Sequence, residues 1–417
     1  MQDKDNTKTT FIQLFDPIFK SFLFNQIIDR YSVDKYVKKL NLKCFLQLMA
    51  CAQIYQFRGL SSISDSLKED AFAAQVGIQS ISASQLSRKL RELPTILFRE
   101  LFSIVKVETI KHLGPSAAQQ IGNLYLIDSS TISLCLSRYS WASFRKTKAG
   151  VKLHLRLKFL EEGLVIPDEA IITPAKPADR TQMDNLVVID KDALNVFDRG
   201  YLDYRKFDAY CEQGIRFVTR SKSNTLVEVV SSISGTTESP ITSDSIVYLG
   251  KAGQTKMKHP MRRITSQDTE GNPVVIITND FELSAQEISD IYRYRWHIEL
   301  FFKWIKQHLK VKHFHGLSPN AVENQLLIAL ITYCLILLLI GRNQYKGSLF
   351  QLSRLLVFCL LEPYEQFKKK LLATKFKLPK HKRRRRDEQL IFEQTLYQLI
   401  NQEADYLYEI YYDPLLD

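Results

Sequence analysis

The sequence is poor in the features that would mark a secreted or membrane protein. Its six cysteines (Cys44, Cys51, Cys135, Cys211, Cys334, Cys359) are scattered over 417 residues, with no C-x-x-C and no paired spacing. That argues against a disulfide scaffold or a zinc framework and fits buried thiols in a reducing compartment. The opening MQDKDNTKTT lacks the basic start and apolar stretch of a secretory signal, so a cytoplasmic location is expected. A long hydrophobic run is missing too. The fifteen residues from Leu326 to Ile340 are almost all apolar, but Thr332 and Tyr333 interrupt them, and they fall short of the ~20 that span a bilayer. A buried core helix is expected there, and no membrane partner.

What remains is globular material. At 45% hydrophobic and 24% charged residues the chain has enough apolar surface for a full core, and its length calls for more than one folding unit. The 57 Lys and Arg against 45 Asp and Glu leave a net charge of +12, distributed unevenly. Between Lys368 and Arg386 stand eleven Lys or Arg, including Arg383, Arg384, Arg385 and Arg386, with no acid; from Asp387 to Asp417 stand eight acids with no Lys or Arg. Such a run reads either as a solvated linker or as a contact for a polyanion, since each cation near a phosphate releases counterions.

Hydrophobic spacing divides the chain into an all-helical region over 1–115, an α/β region over 120–222, a β-rich insertion over 223–283, a helical return over 284–345 and a C-terminal region over 346–417. In the first region Ser61 to Leu67 and Ser82 to Leu93 predict two helices separated by a turn at Gly77, with Pro94 closing the second. This is helix-turn-helix spacing. Ser84, Gln85, Ser87, Arg88 and Arg91 on the polar side of the second helix suit phosphate and base-edge contacts, although any helical bundle contains such pairs. In the second region three strands (Leu124 to Asp128, Val151 to Phe159, Leu164 to Thr173) precede a helix over Thr181 to Ile189, a strand over Ala193 to Asp198, a helix over Leu202 to Gln213 and a strand over Ile215 to Thr219. That order implies a mixed α/β sheet with helices on both faces.

Two aspartates, Asp128 and Asp198, each end an apolar strand, and neighbouring strands would bring both to one sheet edge. From Ser284, where Glu287 completes a capping box, a helix runs without Gly or Pro to about Lys310. Its Tyr292, Arg295, Glu299 and Lys306 fall within roughly 60° of one face. One acid flanked by two cations suits a metal-ligating carboxylate beside phosphate-holding groups; it also suits a surface ion-pair ladder.

Tyr292-x2-Arg295-x3-Glu299-x6-Lys306 matches the YREK signature of bacterial DDE transposases, and the chain resembles the insertion-sequence-four family of these proteins. Asp128 resembles the family's first aspartate, and Asp198, in Phe197-Asp198-Arg199-Gly200-Tyr201, the second in its D-R-G-Y setting. Glu299 matches the third acid. The resemblance covers about residues 120 to 345. It implies a ribonuclease-H-like fold interrupted by a β-rich insertion and preceded by a helical DNA-binding region. It also implies two Mg²⁺ ions on Asp128, Asp198 and Glu299, with Mn²⁺ as a substitute, and phosphate contacts from Arg295 and Lys306 with Tyr292 at the strand end. The implied activity is cutting and joining of element ends, on terminal inverted repeats and target DNA, by a homodimer in the synaptic complex near the nucleoid. His154, on the polar side of the second strand with Lys152, is a candidate for support behind the acids. His308, His313 and His315 cluster after the signature, but no acid or cysteine completes a metal set there. The same residues also fit a retired transposase that binds DNA without cutting, or a nuclease of the same fold.

Overall fold

The computed structural model describes residues 8–113 and 123–373, apart from residues 162, 223, 234–240, 268–271, 310 and 312. Seven helices come first: α1 (Thr10–Phe19), α2 (Phe22–Tyr31), α3 (Leu42–Ile54), α4 (Leu60–Ser66), α5 (Asp70–Val76), α6 (Ala83–Glu92) and α7 (Thr95–Leu113). The two helices expected around Gly77 are α4 and α6, and between them the structure adds α5. Gly77 ends α5 with φ +83, a left-handed turn that glycine adopts without steric cost. Ser82 starts α6 with a reciprocal capping box to Gln85. Leu93, ahead of Pro94, turns extended and stops it.

Ten strands form one sheet among the described residues. β1 (Asn123–Leu134), β2 (Ser143–Arg145), β3 (Lys148–Glu161) and β4 (Leu164–Pro174) precede the one-turn helix α8 (Met183–Leu186), then β5 (Ala193–Phe197), α9 (Tyr204–Glu212) and β6 (Arg216–Arg220). β3 lies antiparallel to β1 and to β4, whereas β5 lies parallel to β1 and β6 parallel to β5. Three antiparallel strands followed by two parallel crossovers make the ribonuclease-H-like arrangement. The β-rich stretch supplies β7 (Val227–Ser232), β8 (Ile241–Leu249), β9 (Met261–Gln267) and β10 (Pro273–Thr278). Because β10 pairs with β6, these strands prolong the same sheet.

The helix expected over Thr181 to Ile189 shrinks to a 3₁₀ turn and α8. Asn195 of β5 bonds both the N–H and the carbonyl of Val188, at 2.8 and 3.2 Å, and so holds that segment extended. The single helix expected from Ser284 is two, α10 (Ala285–Tyr294) and α11 (Trp296–His308), which meet at Arg295. There the Arg295 N–H bonds the Tyr292 carbonyl three residues back at 3.1 Å, a tighter turn than the α-helix. The Ser284–Glu287 capping box is present.

Strand alternation distributes the core. Leu124, Leu126, Val196 and Val218 face Ile291, Ile298, Phe302 and the helix α12 (Pro319–Asn343), while Ile127, Phe197, Phe217 and Ile277 face Met183, Phe207 and Tyr210 on the other side. α12 contains the apolar run and passes the length and apolarity of a membrane span, but it is buried almost throughout inside the protein. Within the fold Asn324 donates to the carbonyls of Leu90 and Leu93, and Thr332 to that of Ile328. α3, α6, α7 and β4 all pack on α12. The helical region and the sheet therefore share one apolar core, because α3, α7 and α12 are too apolar to face water. Finally, α13 (Leu349–Cys359) and α14 (Tyr364–Ala373) return to α1, where the Thr10 N–H bonds the Glu362 carbonyl at 2.9 Å.

Candidate active site

Asp128 lies inside β1 rather than at its end, because β1 stays paired with β3 from Tyr125 to Leu134. Its parallel pairing with β5 covers only Asn123 to Ile127, opposite Ala193 to Phe197. Asp128 thus stands where β1 loses its neighbour, and Asp198 follows the last residue of that neighbour. The two aspartates meet at one sheet edge, as neighbouring strands require. Glu299 comes from α11, which packs on β1.

Arg295 joins these acids. Its guanidinium reaches Glu299 Oε1 at 2.5 Å and Asp128 Oδ2 at 3.5 Å, and the Tyr292 ring lies beneath it with its centroid 5.8 Å away. Asp128 Oδ1 accepts the Ser129 N–H at 2.7 Å. Burial pushes the Asp128 carboxyl up to about 8; Arg295 opposes this, while Asp198 and Glu299 add to it. Burial alone would lower the Arg295 pKa, but Glu299, Tyr292, Asp128 and Asp198 together hold it firmly charged. The Tyr292 hydroxyl is pushed up to about 12, mainly by burial. Lys306 is buried and donates to Ser130 Oγ at 2.6 Å and to the Thr131 carbonyl at 3.4 Å, two and three residues beyond Asp128 on the same strand.

Behind β1 a second polar group is assembled in which the sequence pointed to His154, beside Lys152, but not to Asp179 or Ser129. Alternation turns Ser129 to the opposite face, where its hydroxyl donates to Asp179 Oδ1 at 2.7 Å. Lys152 reaches the same oxygen at 2.9 Å, and His154 Nδ1 stands 3.7 Å from it. His154 is fully buried, bonded to Thr173 at 3.0 Å, and burial lowers its pKa to about 4, so the ring is neutral. Asp179 and Ser129 connect His154 to Asp128. A signal for this group was present: the polar run Ser129-Ser130-Thr131 follows Asp128 inside a strand, and pairing the next two strands as a hairpin carries residue 179 back beside it.

The remaining candidates lie elsewhere. Arg88 and Arg91 are on the exposed face of α6, beside Ser84 and Ser87. Arg383 to Arg386 fall outside the described residues. Of the basic run's described part, Lys368 pairs with Glu365 at 2.9 Å and Lys370 with Glu362 at 2.6 Å. His308 packs on Trp304 and Phe350, while the His315 N–H and the His313 carbonyl both bond the Gln325 side chain.

The acids suit a divalent cation. Among the described residues no three acidic or imidazole groups close on one point, and Arg295 lies between Asp128 and Glu299. One guanidinium faces three acids, so the acids outnumber the arginine that pairs with them. Glu299 Oε2 is buried without a hydrogen-bond partner, a costly condition for a carboxylate oxygen unless a cation takes it up. The donor set is all hard oxygen, as Mg²⁺ or Mn²⁺ prefers.

Residues 120–335 match the transposase DDE domain family, a span that includes Asp128, Asp198, Arg295, Glu299 and Lys306. Over 276 residues the chain is 31% identical to the putative transposase y4zB of Sinorhizobium fredii, covering 64% of this chain and 74% of that protein. It is 29% identical over 263 residues to the probable transposase for insertion sequence element IS5377 of Geobacillus stearothermophilus, covering 62% and 68% of the two chains. A solved piggyBac transposase synaptic complex with hairpin DNA is similar at 10% identity and a TM-score of 0.44, over 90% of this chain and 84% of that one. The family depends on divalent metal for its chemistry. The chain belongs to the DDE transposases, enzymes that cleave DNA and transfer its strands.

Proposed function

We propose that this chain cuts and joins the ends of an insertion-sequence element, with Asp128, Asp198 and Glu299 holding two Mg²⁺ ions. One observation carries the reading: Asp128 and Glu299, from separate elements, both pair with Arg295, Asp198 adds its charge from the end of the neighbouring strand, and one buried Glu299 oxygen has no partner. When bound, the ions would activate water or a 3′-hydroxyl and stabilise the leaving oxygen of an in-line displacement. The chain's own residues do the rest. Arg295 neutralises the acids before DNA arrives and then holds a phosphate beside them. Lys306 fixes β1 through Ser130 and Thr131. Asp179, through Ser129, holds the backbone N–H that orients Asp128.

Arg88 and Arg91 on α6 read the end sequence, and the run containing Arg383 to Arg386 adds affinity that is independent of sequence. The working assembly is a homodimer that pairs two element ends. The test is cleavage and strand transfer by the purified chain on DNA carrying the inverted repeats that flank its gene. Asp128→Ala, Asp198→Ala and Glu299→Ala should each lose both reactions while still binding the ends. Cleavage near the wild-type rate by a folded variant removes that residue from the site; hydrolysis without strand transfer by the wild type makes the chain a nuclease.

A further inference from the structure

The turn between α2 and α3 carries a group of residues that the active site does not use. Lys35, Tyr36, Val37, Lys38 and Lys39 are all exposed, and no acid stands among them. Tyr36 is 90% exposed with φ +63. A bulky residue in the left-handed region is strained, and this one gains no burial in return. Lys35 Nζ lies 5.3 Å from the Tyr36 ring centroid, so cation and aromatic face are displayed together.

The turn is tied to α6. Lys89, on that helix, donates to the Leu40 carbonyl at 2.6 Å and to Asp34 Oδ1 at 3.3 Å, and Asp34 Oδ1 also accepts the Leu42 N–H at 2.7 Å. These bonds bracket residues 35–39 and set their spacing from α6. Between turn and helix runs an open groove lined by Lys38, Lys39, Gln85 and Arg88, with Glu92 on its wall. Glu92 in turn pairs with Arg91 at 3.2 Å.

We propose that the turn over residues 35–39 is a second DNA contact, in which Lys38 and Lys39 grip phosphates and the Tyr36 ring packs on deoxyribose. Lys89 then holds the turn and α6 at a fixed distance across one groove edge. Interleaved cations and an exposed ring suit a sugar-phosphate chain, which offers a charge at each step and an apolar sugar between. Sequence is read by α6, and the turn sets its register. This inference rests on the reading of α6 as the helix that faces DNA.

The test is binding of the full-length protein to a labelled duplex carrying the inverted repeat beside its gene, and to a shuffled duplex, across a salt series. Lys38→Gln with Lys39→Gln should reduce the slope of log affinity against log salt by ~1.8, or ~0.9 per phosphate, on both duplexes. Tyr36→Ala should weaken both without changing the slope. Lys89→Met, with its thermal melt checked against wild type, should lose preference for the repeat more than total affinity. An unchanged slope in the double lysine variant overturns the contact. Arg88→Ala with Arg91→Ala separates the two failures: if it loses the preference while the lysine variant is silent, only the turn is wrong, and if it too binds as wild type, the reading of α6 falls with it.

Discussion

Two aspartates of the sheet, Asp128 on β1 and Asp168 on β4, lie on strands that flank β3, and both face an arginine yet come to opposite ends. Asp168 on β4 meets Arg156 at 2.5 Å and Lys106 at 3.0 Å. Burial would raise its carboxyl, but Arg156 and Lys106 outweigh that and hold it below the ordinary carboxylate range. Arg156 also bonds the Leu186 carbonyl at 2.8 Å, so the cluster ties α7, β3, β4 and the end of α8 together. Asp128 meets one arginine shared with Glu299 and stands near Asp198, and its carboxyl rises to about 8, chiefly through burial. Two cations per acid make a closed, stabilising network. One cation for three acids leaves unspent negative charge, which is what an ion-binding site requires.

The largest effect that would break this contrast is at the acids themselves: Asp128→Ala, Asp198→Ala and Glu299→Ala are expected to bring cleavage to background with little change in thermal stability. The reverse is expected at Asp168. Asp168→Ala leaves Arg156 and Lys106 partly buried without their acid and should cost about 3 kcal/mol of stability in a denaturant titration, while cleavage measured well below the melting temperature survives. Asp190, which accepts the Asp192 N–H in an exposed turn, is the silent control for both.

The same contrast has a pH signature. Because the Asp168 carboxyl is lowered on folding, its contribution is present above the ordinary carboxylate pKa of about 4 and fades as pH falls through the folded value. Melting curves of wild type and Asp168→Asn should therefore differ at neutral pH and converge in acid. Curves that stay parallel down to acid pH would show that the pair does not stabilise the fold.

A smaller effect is expected behind β1. Asp179→Ala removes the acceptor that holds Ser129 and, through its N–H, Asp128. Cleavage should fall about 10- to 100-fold, as for groups that orient a metal ligand. Extra Mg²⁺ should recover part of the loss, and Asp179→Asn, which still accepts the Ser129 hydroxyl, should recover more. Recovery by neither would separate Asp179 from the acids. Smallest is Arg295→Gln: it leaves three carboxylates without their cation, so added Mg²⁺ should raise its melting temperature more than it raises that of wild type. An equal rise in both would show that Arg295 does not neutralise the acids.

Much of the site was legible in the chain because it rests on local patterns. The spacing from Tyr292 to Lys306 needs only the helical repeat, and Asp198 needs only a short apolar strand followed by D-R-G-Y. Less legible was whatever depends on pairing. Asp128 looked like a strand end because LYLID stops being apolar there, yet β3 carries β1 six residues further. Asp168 carries no local signal of its partners, since neither Lys106 nor Arg156 is near it in sequence. Asp179 lies between the strand expected to end at Thr173 and the helix expected from Thr181, and its partners Ser129 and Lys152 come from β1 and β3.

The chain alone thus determined the fold class, the main run of strands and helices and the signature that leads to a DDE transposase, because periodicity, caps and short motifs are written in neighbouring residues. The tertiary structure decided which charges meet. Lys306, on α11, bonds Ser130 of β1; Lys89, on α6, bonds the Leu40 carbonyl in the turn before α3; and Arg295 stands at a break in a helix that its sequence allowed to run on. Each of these depends on a partner brought close by strand pairing or helix packing across long separations, and no local pattern records that distance.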